Sequence, residues 1–310
     1  MISIERVTEI YFTPLNSLIF EAQGIHRQYH DANTVQMCTL SNIKSGNCPE
    51  DCKYCPQSAR YKADISEYGL LSVEEVLSQA QLAKANGSTR LCMGAAWRQV
   101  KDGEDFEQIL KMVEGVASLG MEACVTLGML REDQAQRLAK AGLTAYNHNL
   151  DTSEKFYPEI ISTRAYGDRL ETIKNVAAAG IQVCCGGIVG MGETDSDRIE
   201  LLHTLANLNP QPDSVPINAL SPVEGTPLGN MPIIDPIILV RMIATARILM
   251  PMAMVRLSAG RNQLSVSDQA LCFLAGANSI FSSEKLLTTT NPSLDQDAEM
   301  FAKLGIAAMT

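Results

Sequence analysis

VASLGMEACVTLG, residues 116–128, changes its period halfway along. Up to Val116 the apolar residues Phe106, Ile109, Leu110, Val113 and Val116 recur at helical spacing, whereas EACVTLG (122–128) reads as a short β-rich run. Gly120 stands between the two, and a glycine just past a helix permits the left-handed turn that re-aims the chain into a strand. The same unit recurs on both sides. Upstream, Ser72-Val73-Glu74-Glu75 reads as a capping box, and Val73, Val76, Leu77, Ala80 and Ala83 keep helical spacing. Asn86-Gly87 stops that helix and TRLCMGA follows at 89–95. Downstream, Gly142 precedes TAYNHNLD (144–151) and Gly180 precedes IQVCCGGIVG (181–190). TVQMCTLSN (34–42), DSVPINALS (213–221), AMVRLSAG (253–260) and NSIFSSEKL (278–286) complete a set of eight, with helical patterns around 194–207, 236–249 and 266–275. Eight β/α alternations without a domain-sized linker predict an α/β chain closed into a (β/α)8 TIM-type barrel rather than an open sheet. The expected organisation is an N-terminal helical extension over 1–33, the barrel over 34–290 and a C-terminal helical tail over 291–310.

The composition is that of an ordinary globular protein, 46% hydrophobic and 19% charged. A formal net charge of -10 argues against a general nucleic-acid surface and against docking on anionic lipid. The opening MISIERVTEIYF shows no basic segment followed by an apolar one, and no apolar run approaches a membrane span. Nine cysteines, an odd count in a long chain, fit a reducing compartment such as a cytoplasm. They are therefore expected to serve as metal ligands, reactive thiols or small core residues rather than as a disulfide framework.

Three of them, Cys48, Cys52 and Cys55, lie in SGNCPEDCKYCPQSARY (45–61), directly after the first expected strand. That loop opens on the C-terminal face, where barrel active sites are built. A closed zinc site takes four ligands and a disulfide takes two, so three thiols fit neither by themselves. A cubane iron–sulfur cluster held by three thiolates leaves one iron free for another molecule. Structural zinc with Cys38 as fourth ligand, and redox chemistry through the Cys52–Cys55 pair, remain alternatives at this point. Further cysteines punctuate the expected strands: Cys92, Cys124 and the adjacent pair Cys184 and Cys185, of which only one can face inward because side chains alternate along a strand. Buried free cysteine often serves as a small hydrophobe. Arg256, on the expected inward face of AMVRLSAG, weighs against that reading, because a buried guanidinium is costly without an anionic partner.

The spacing C-x3-C-x2-C, with Tyr54 just before its last cysteine, resembles the signature of the radical S-adenosylmethionine enzymes. GGIVGMGE (186–193) is similar to a second element of that family, G-x-I-x-G-x-x-E, which lies near the adenine and includes Ile188. Within the family, YNHNLDT (146–152), MVRLSAGRNQ (254–263) and LCFLAGANSIF (271–281) resemble the biotin synthases over nearly the whole chain. The resemblance implies a [4Fe-4S] cluster on Cys48, Cys52 and Cys55 whose open iron chelates S-adenosyl-L-methionine. It implies a [2Fe-2S] cluster deep in the barrel on Cys92, Cys124, Cys184 and Arg256, with Cys185 pointing outward. That interior cluster would donate sulfur to dethiobiotin, closing a ring between C6 and C9, which makes Cys92 and Arg256 parts of the catalytic machinery. An acidic flavodoxin or ferredoxin as electron donor and a homodimeric assembly are further implications.

Asn147, Asn149 and Asp151 fall at alternate positions and are expected on one strand face. By the same resemblance Asn149 and Asp151 would bind ribose hydroxyls, Tyr54 and Ile188 would line the same cofactor site, and Arg169 would hold the methionyl carboxylate. Asn147 and Asn218, with Asn149, are candidates for the ureido ring of dethiobiotin; capping strand ends is the competing role for such asparagines. His148, between two inward asparagines, is expected to point outward, and His203 to lie on a helix. GAAW (94–97) stands where many radical enzymes carry a glutamate for the methionyl amino group, so that contact would fall to backbone carbonyls.

Overall fold

The computed structural model describes residues 1–283 and 285–309. The elements run α1 (Ile4–Tyr11), α2 (Leu15–Tyr29), β1 (Thr34–Lys44), α3 (Val73–Ala85), β2 (Arg90–Ala95), α4 (Glu104–Ser118), β3 (Glu122–Thr126), α5 (Glu132–Lys140) and β4 (Ala145–Asn147). They continue with α6 (Tyr157–Ile160), α7 (Tyr166–Ala178), β5 (Gln182–Cys184), β6 (Gly187–Val189), α8 (Asp195–Asn207), β7 (Ser214–Ala219), α9 (Pro236–Leu249), β8 (Met254–Leu257), α10 (Val266–Leu274) and β9 (Ser279–Phe281). A two-strand hairpin of β10 (Lys285–Leu286) and β11 (Thr289–Thr290), then α11 (Leu294–Leu304) and β12 (Ala307–Ala308), complete the chain. No helix among the described residues is long and apolar enough to cross a membrane.

All barrel pairings are parallel, in the order β1-β2-β3-β4-β5-β7-β8-β9, and β9 returns to β1 through Met37 opposite Ile280. The ring is closed, as the alternation requires. Its fifth strand is interrupted between β5 and β6. The interruption faces Pro216 of β7, which has no amide hydrogen for the ladder. A Cβ on Gly186 would lie 1.9 Å from the Pro216 carbonyl oxygen, so the backbones approach there as only glycine allows. The eighth strand ends at Phe281 rather than running on to 286. The Ser282 amide still donates to the Cys38 carbonyl of β1 at 2.8 Å, the chain then turns away at Ser283, residue 284 lies outside the described residues, and Lys285–Leu286 pair in the separate hairpin.

Ser72 and Glu75 form the capping box read from the sequence, Ser72 Oγ accepting from the Glu75 amide at 3.2 Å and Glu75 accepting from the Ser72 amide at 2.8 Å. Outside the ring, α2 packs on α9 and α1 on α8. Tyr11 ties the contact together by donating its hydroxyl to Asp195 at 2.8 Å. At the far end α11 packs on α10 through the edge-to-face pair Phe273–Phe301, and Asp297 pairs with the fully buried Arg261. The C-terminal segment is not helical alone: β12 adds in parallel to the start of β1.

The barrel lumen departs from the usual fill of branched aliphatics. At its base Arg90, 2% exposed, donates to Glu122 at 2.7 Å, Ser214 at 3.2 Å and Gln182 at 3.3 Å. Gln36 also donates to Glu122, at 3.0 Å. Above this polar plug lie sulfur atoms, and above them amides. The aliphatic core sits between strands and helices instead, where Val125, Val183, Val215, Val255 and Ile280 are fully buried or nearly so.

Candidate active site

The three loop thiols stand over the C-terminal mouth of the barrel. The loop folds on itself through Cys48 and Gln57, whose main chains bond at 2.9 Å, and through the Ala59 amide, which donates to the Cys48 carbonyl at 2.8 Å. It is fastened to the segment before α7 by Asp51. That carboxylate accepts from the Ser162 amide at 2.9 Å, the Thr163 amide at 3.1 Å, the Thr163 hydroxyl at 2.9 Å and the Ser162 hydroxyl. Burial raises its pKa, but these four donors outweigh burial and lower it to about 2. A carboxyl with a depressed folded pKa stabilises fully above the ordinary carboxyl range, and that contribution is lost as pH falls through about 2. Asp51→Asn is therefore expected to lower the urea-unfolding midpoint of the cluster-free chain at neutral pH. The gap to the parent should narrow as pH drops from about 4 toward 2. A gap independent of pH would mean that the carboxylate charge is not what fastens the loop.

Burial holds the loop thiols protonated in the bare chain. It pushes Cys52 up to about 12 against the pull of Arg169, and pushes Cys55 up to about 12 with help from Cys52. Cys48 is raised in the same way. Beside them, Tyr54 donates its hydroxyl to Asp151 at 2.8 Å. Asp151 also pairs with Arg169, both side chains being at most 5% exposed. Arg169 spends further donors on Tyr157 Oη at 2.8 Å and the Asn149 carbonyl at 2.5 Å. A guanidinium has five N–H groups, so two of them are left for a ligand.

The asparagine row is arranged differently from a continuous strand. β4 ends at Asn147, and Asp151 sits at φ 68°, in the left-handed region. Its carboxylate therefore reaches the site through a turn and not through strand alternation. Asn147 donates to Asn149 Oδ1 at 3.2 Å and to Cys184 Sγ at 3.3 Å, and accepts from Thr126 at 3.3 Å. Asn149 also accepts from the Gly186 amide at 3.1 Å. Asn218 donates to the Gly187 carbonyl at 2.9 Å and accepts from the Ala259 amide at 3.2 Å, so it bridges strand edges as well as lining the cavity. Ile188 lines the same cavity from β6, its amide held by the Asp151 carbonyl at 2.7 Å. Glu193, the last residue of GGIVGMGE, turns back to accept from the Gly190 and Met191 amides and from Arg198, closing that loop. His148 is buried beside Tyr146 with Nε2 unpartnered, and His203 lies on α8.

Deeper in the lumen, Cys92 and Cys124 are register partners on β2 and β3 and form a small cluster with Ala145, apart from the main aliphatic core. Contact with Cys124, then burial, raises Cys92 well above an ordinary thiol. Cys184 faces inward, 3.8 Å from Arg256 Nη1, while Cys185 packs in the aliphatic shell. Arg256 is 1% exposed and has no carboxylate partner among the described residues. It donates to Ser279 at 2.9 Å and to Cys38 Sγ at 3.3 Å, and lies 4.8 Å from the Phe281 ring centroid. Among the described residues no three His, Cys, Asp or Glu groups converge closely enough to grip a single metal ion. The thiols border a lumen rather than a point. A cavity of about 320 Å³ joins the two levels, with Cys55 and Asp151 toward one end and Cys92 and Arg256 toward the other. An uncompensated buried guanidinium ringed by thiols fits an anionic thiolate cluster, and three loop thiols over a polar cavity fit a second.

Three side chains of this site were given no place in the lumen by the sequence reading. Cys38 belongs to the lumen with Arg256 and not to the loop, so it is no fourth partner of Cys48, Cys52 and Cys55. Alternation along β1 was the available signal. Arg164 lines the cavity with Nε unpartnered, and Trp97 lines it from the segment after β2; no periodicity marks either one.

The comparisons with known proteins give the family and the fold. Residues 42–205 match the Radical SAM superfamily, and residues 216–307 match the Biotin and Thiamin Synthesis associated domain. A biotin synthase of Synechococcus sp. (strain JA-3-3Ab) is 65% identical over 305 residues, 98% of each chain. One of Gloeobacter violaceus is 58% identical over 308 residues, 99% of this chain and 97% of that one. Among solved structures, a methylornithine synthase superposes with a TM-score of 0.82 at 16% identity, over 99% of this chain and 94% of that one. At that identity the likeness speaks for the fold. The sequence relatives carry more: matched end to end at such identity, the chain belongs to the biotin synthase family of radical S-adenosylmethionine enzymes.

Proposed function

We propose that the chain converts dethiobiotin to biotin, inserting sulfur between C6 and C9. The observation that carries this reading is the vertical order of the lumen: loop thiols at the mouth, a cavity beneath, and the Arg256–thiol group below it. Cys48, Cys52 and Cys55 would hold a [4Fe-4S] cluster, and Cys92, Cys124, Cys184 and Arg256 a [2Fe-2S] cluster. When bound, the first supplies the electron that splits S-adenosylmethionine to a 5′-deoxyadenosyl radical, and the second supplies the sulfur. Unactivated C–H bonds are beyond any side-chain acid or base, so the residues contribute binding, orientation and exclusion of water.

Asp151 retains acceptor capacity for ribose hydroxyls beyond Tyr54 and Arg169, and Arg169 retains two N–H groups for a carboxylate. Asn147 reaches from the cavity wall to Cys184, so a substrate amide bonded to it would rest beside the inner thiols. The hairpin side chains Leu286 and Leu287 border the cavity. Exposed Arg60 and Lys62, beside the cluster loop, offer the positive charge an acidic flavodoxin or ferredoxin would seek on an otherwise acidic chain. A homodimer in the cytoplasm completes the reading.

The test is an anaerobic reaction of reconstituted protein with dethiobiotin, S-adenosylmethionine and a strong reductant. Biotin should appear with about two 5′-deoxyadenosines per molecule, one for each C–H bond broken. Deoxyadenosine without biotin, with both clusters verified, would overturn the substrate assignment.

A further inference from the structure

We propose that Cys38 is an additional donor at the interior cluster site, placed at the same corner as Arg256 and able to take its position on iron. The inference rests on the reading that Cys92, Cys124, Cys184 and Arg256 hold a cluster. Cys38 is fully buried, and Arg256 Nη2 donates to its sulfur at 3.3 Å, closer than the 3.8 Å from Nη1 to Cys184. Ser279 Oγ brackets the same group, accepting from Arg256 Nε at 2.9 Å and facing Cys38 Sγ at 3.7 Å. A cysteine serving only as a small hydrophobe looks different in this protein. Cys185 and Cys272 pack in the aliphatic shell, whereas Cys38 and Cys184 belong to neither apolar cluster.

The exchange balances without a redox partner. With a cluster bound, a bond from iron to the Arg256 guanidine nitrogen would be replaced by one from iron to Cys38 Sγ. The thiol proton moves to the freed guanidine along the existing Nη2–Sγ contact, so the pair as a whole keeps its charge. Were such a cluster to give up sulfide, Cys38 beside Arg256 would offer the remaining iron a second protein donor in the lumen.

Three variants, reconstituted anaerobically as full chains, test this: Cys38→Ala, Arg256→Ala and the double variant. The parent's iron and acid-labile sulfide are counted first; a parent without the interior cluster would overturn the reading on which the proposal rests. Arg256→Ala is expected to keep both clusters, its interior one showing the absorption and Mössbauer spectra of an all-thiolate site and a lowered reduction potential. Cys38→Ala should also keep both. The double variant should lose the interior cluster while keeping the loop cluster, iron falling by about a third. Equal iron and identical spectra in Arg256→Ala and the double variant would overturn the role of Cys38, as would Arg256→Ala losing the cluster as completely as the double. Misfolding would show as loss of the loop cluster too, and Arg256→Lys, which keeps a buried cation, then carries the same comparison.

Discussion

Cys52→Ala should leave a folded barrel that has lost the mouth cluster and with it all cleavage of S-adenosylmethionine. Cys52 is 7% exposed, and alanine puts no donor in place of its sulfur. Two remaining thiolates would be too few for the proposed cubane, which would already have one iron without a protein ligand. Iron should fall by about two-thirds, the complement of the loss expected at the interior site. Formation of 5′-deoxyadenosine should drop at least ~1000-fold, about 4 kcal/mol in the barrier. The interior chromophore should persist, because Cys92, Cys124 and Cys184 lie on strands that the loop does not shape. Full iron with undiminished deoxyadenosine would show that these thiols do not hold the radical-forming group.

How much of this was legible beforehand depends on the length over which a signal repeats. The barrel could be read because Gly120, Gly142 and Gly180 each close a helix in the left-handed region and hand the chain to a strand. Repetition of that unit specifies closure. The inward choice of Cys184 over Cys185 required the positions of the neighbouring strands, since alternation fixes only that the two differ. Asp151 borders the cavity, but not by the strand alternation expected of it: the strand has ended, and a positive φ delivers the carboxylate. Cys38 stood in a strand already recognised, but its meaning lay in Arg256, 218 residues away. Arg164 and the hairpin of β10 and β11 depend on loop conformations that carry no period. Periodic elements are specified locally; what meets across the lumen is specified by register and shear, which one strand cannot show.

The pair Asp151–Arg169 offers the sharpest separation of stability from binding. Both groups are buried, so removing one leaves the other charged and without its partner. Asp151→Asn is the right probe, because asparagine tolerates φ 68° and still accepts from Tyr54, so neither strain nor shape clouds the loss of charge. It should lower stability by about 3–5 kcal/mol, measured by urea unfolding of the cluster-loaded chain under anaerobic conditions. Arg169→Met should cost a similar amount, leaving the carboxylate buried beside Tyr54. The double variant should be less destabilised than the sum of the two by about 2 kcal/mol or more, the signature of a coupled pair. Binding should not recover with stability: affinity for S-adenosylmethionine should stay at least ~100-fold weaker in the double variant, about 3 kcal/mol, because both charged groups proposed to hold the ligand are gone. Additive stability losses would show that the two side chains are separately solvated. Restored affinity in the double variant would show that the pair serves only to hold the cluster loop against α7, and that ribose and carboxylate are bound elsewhere in the cavity.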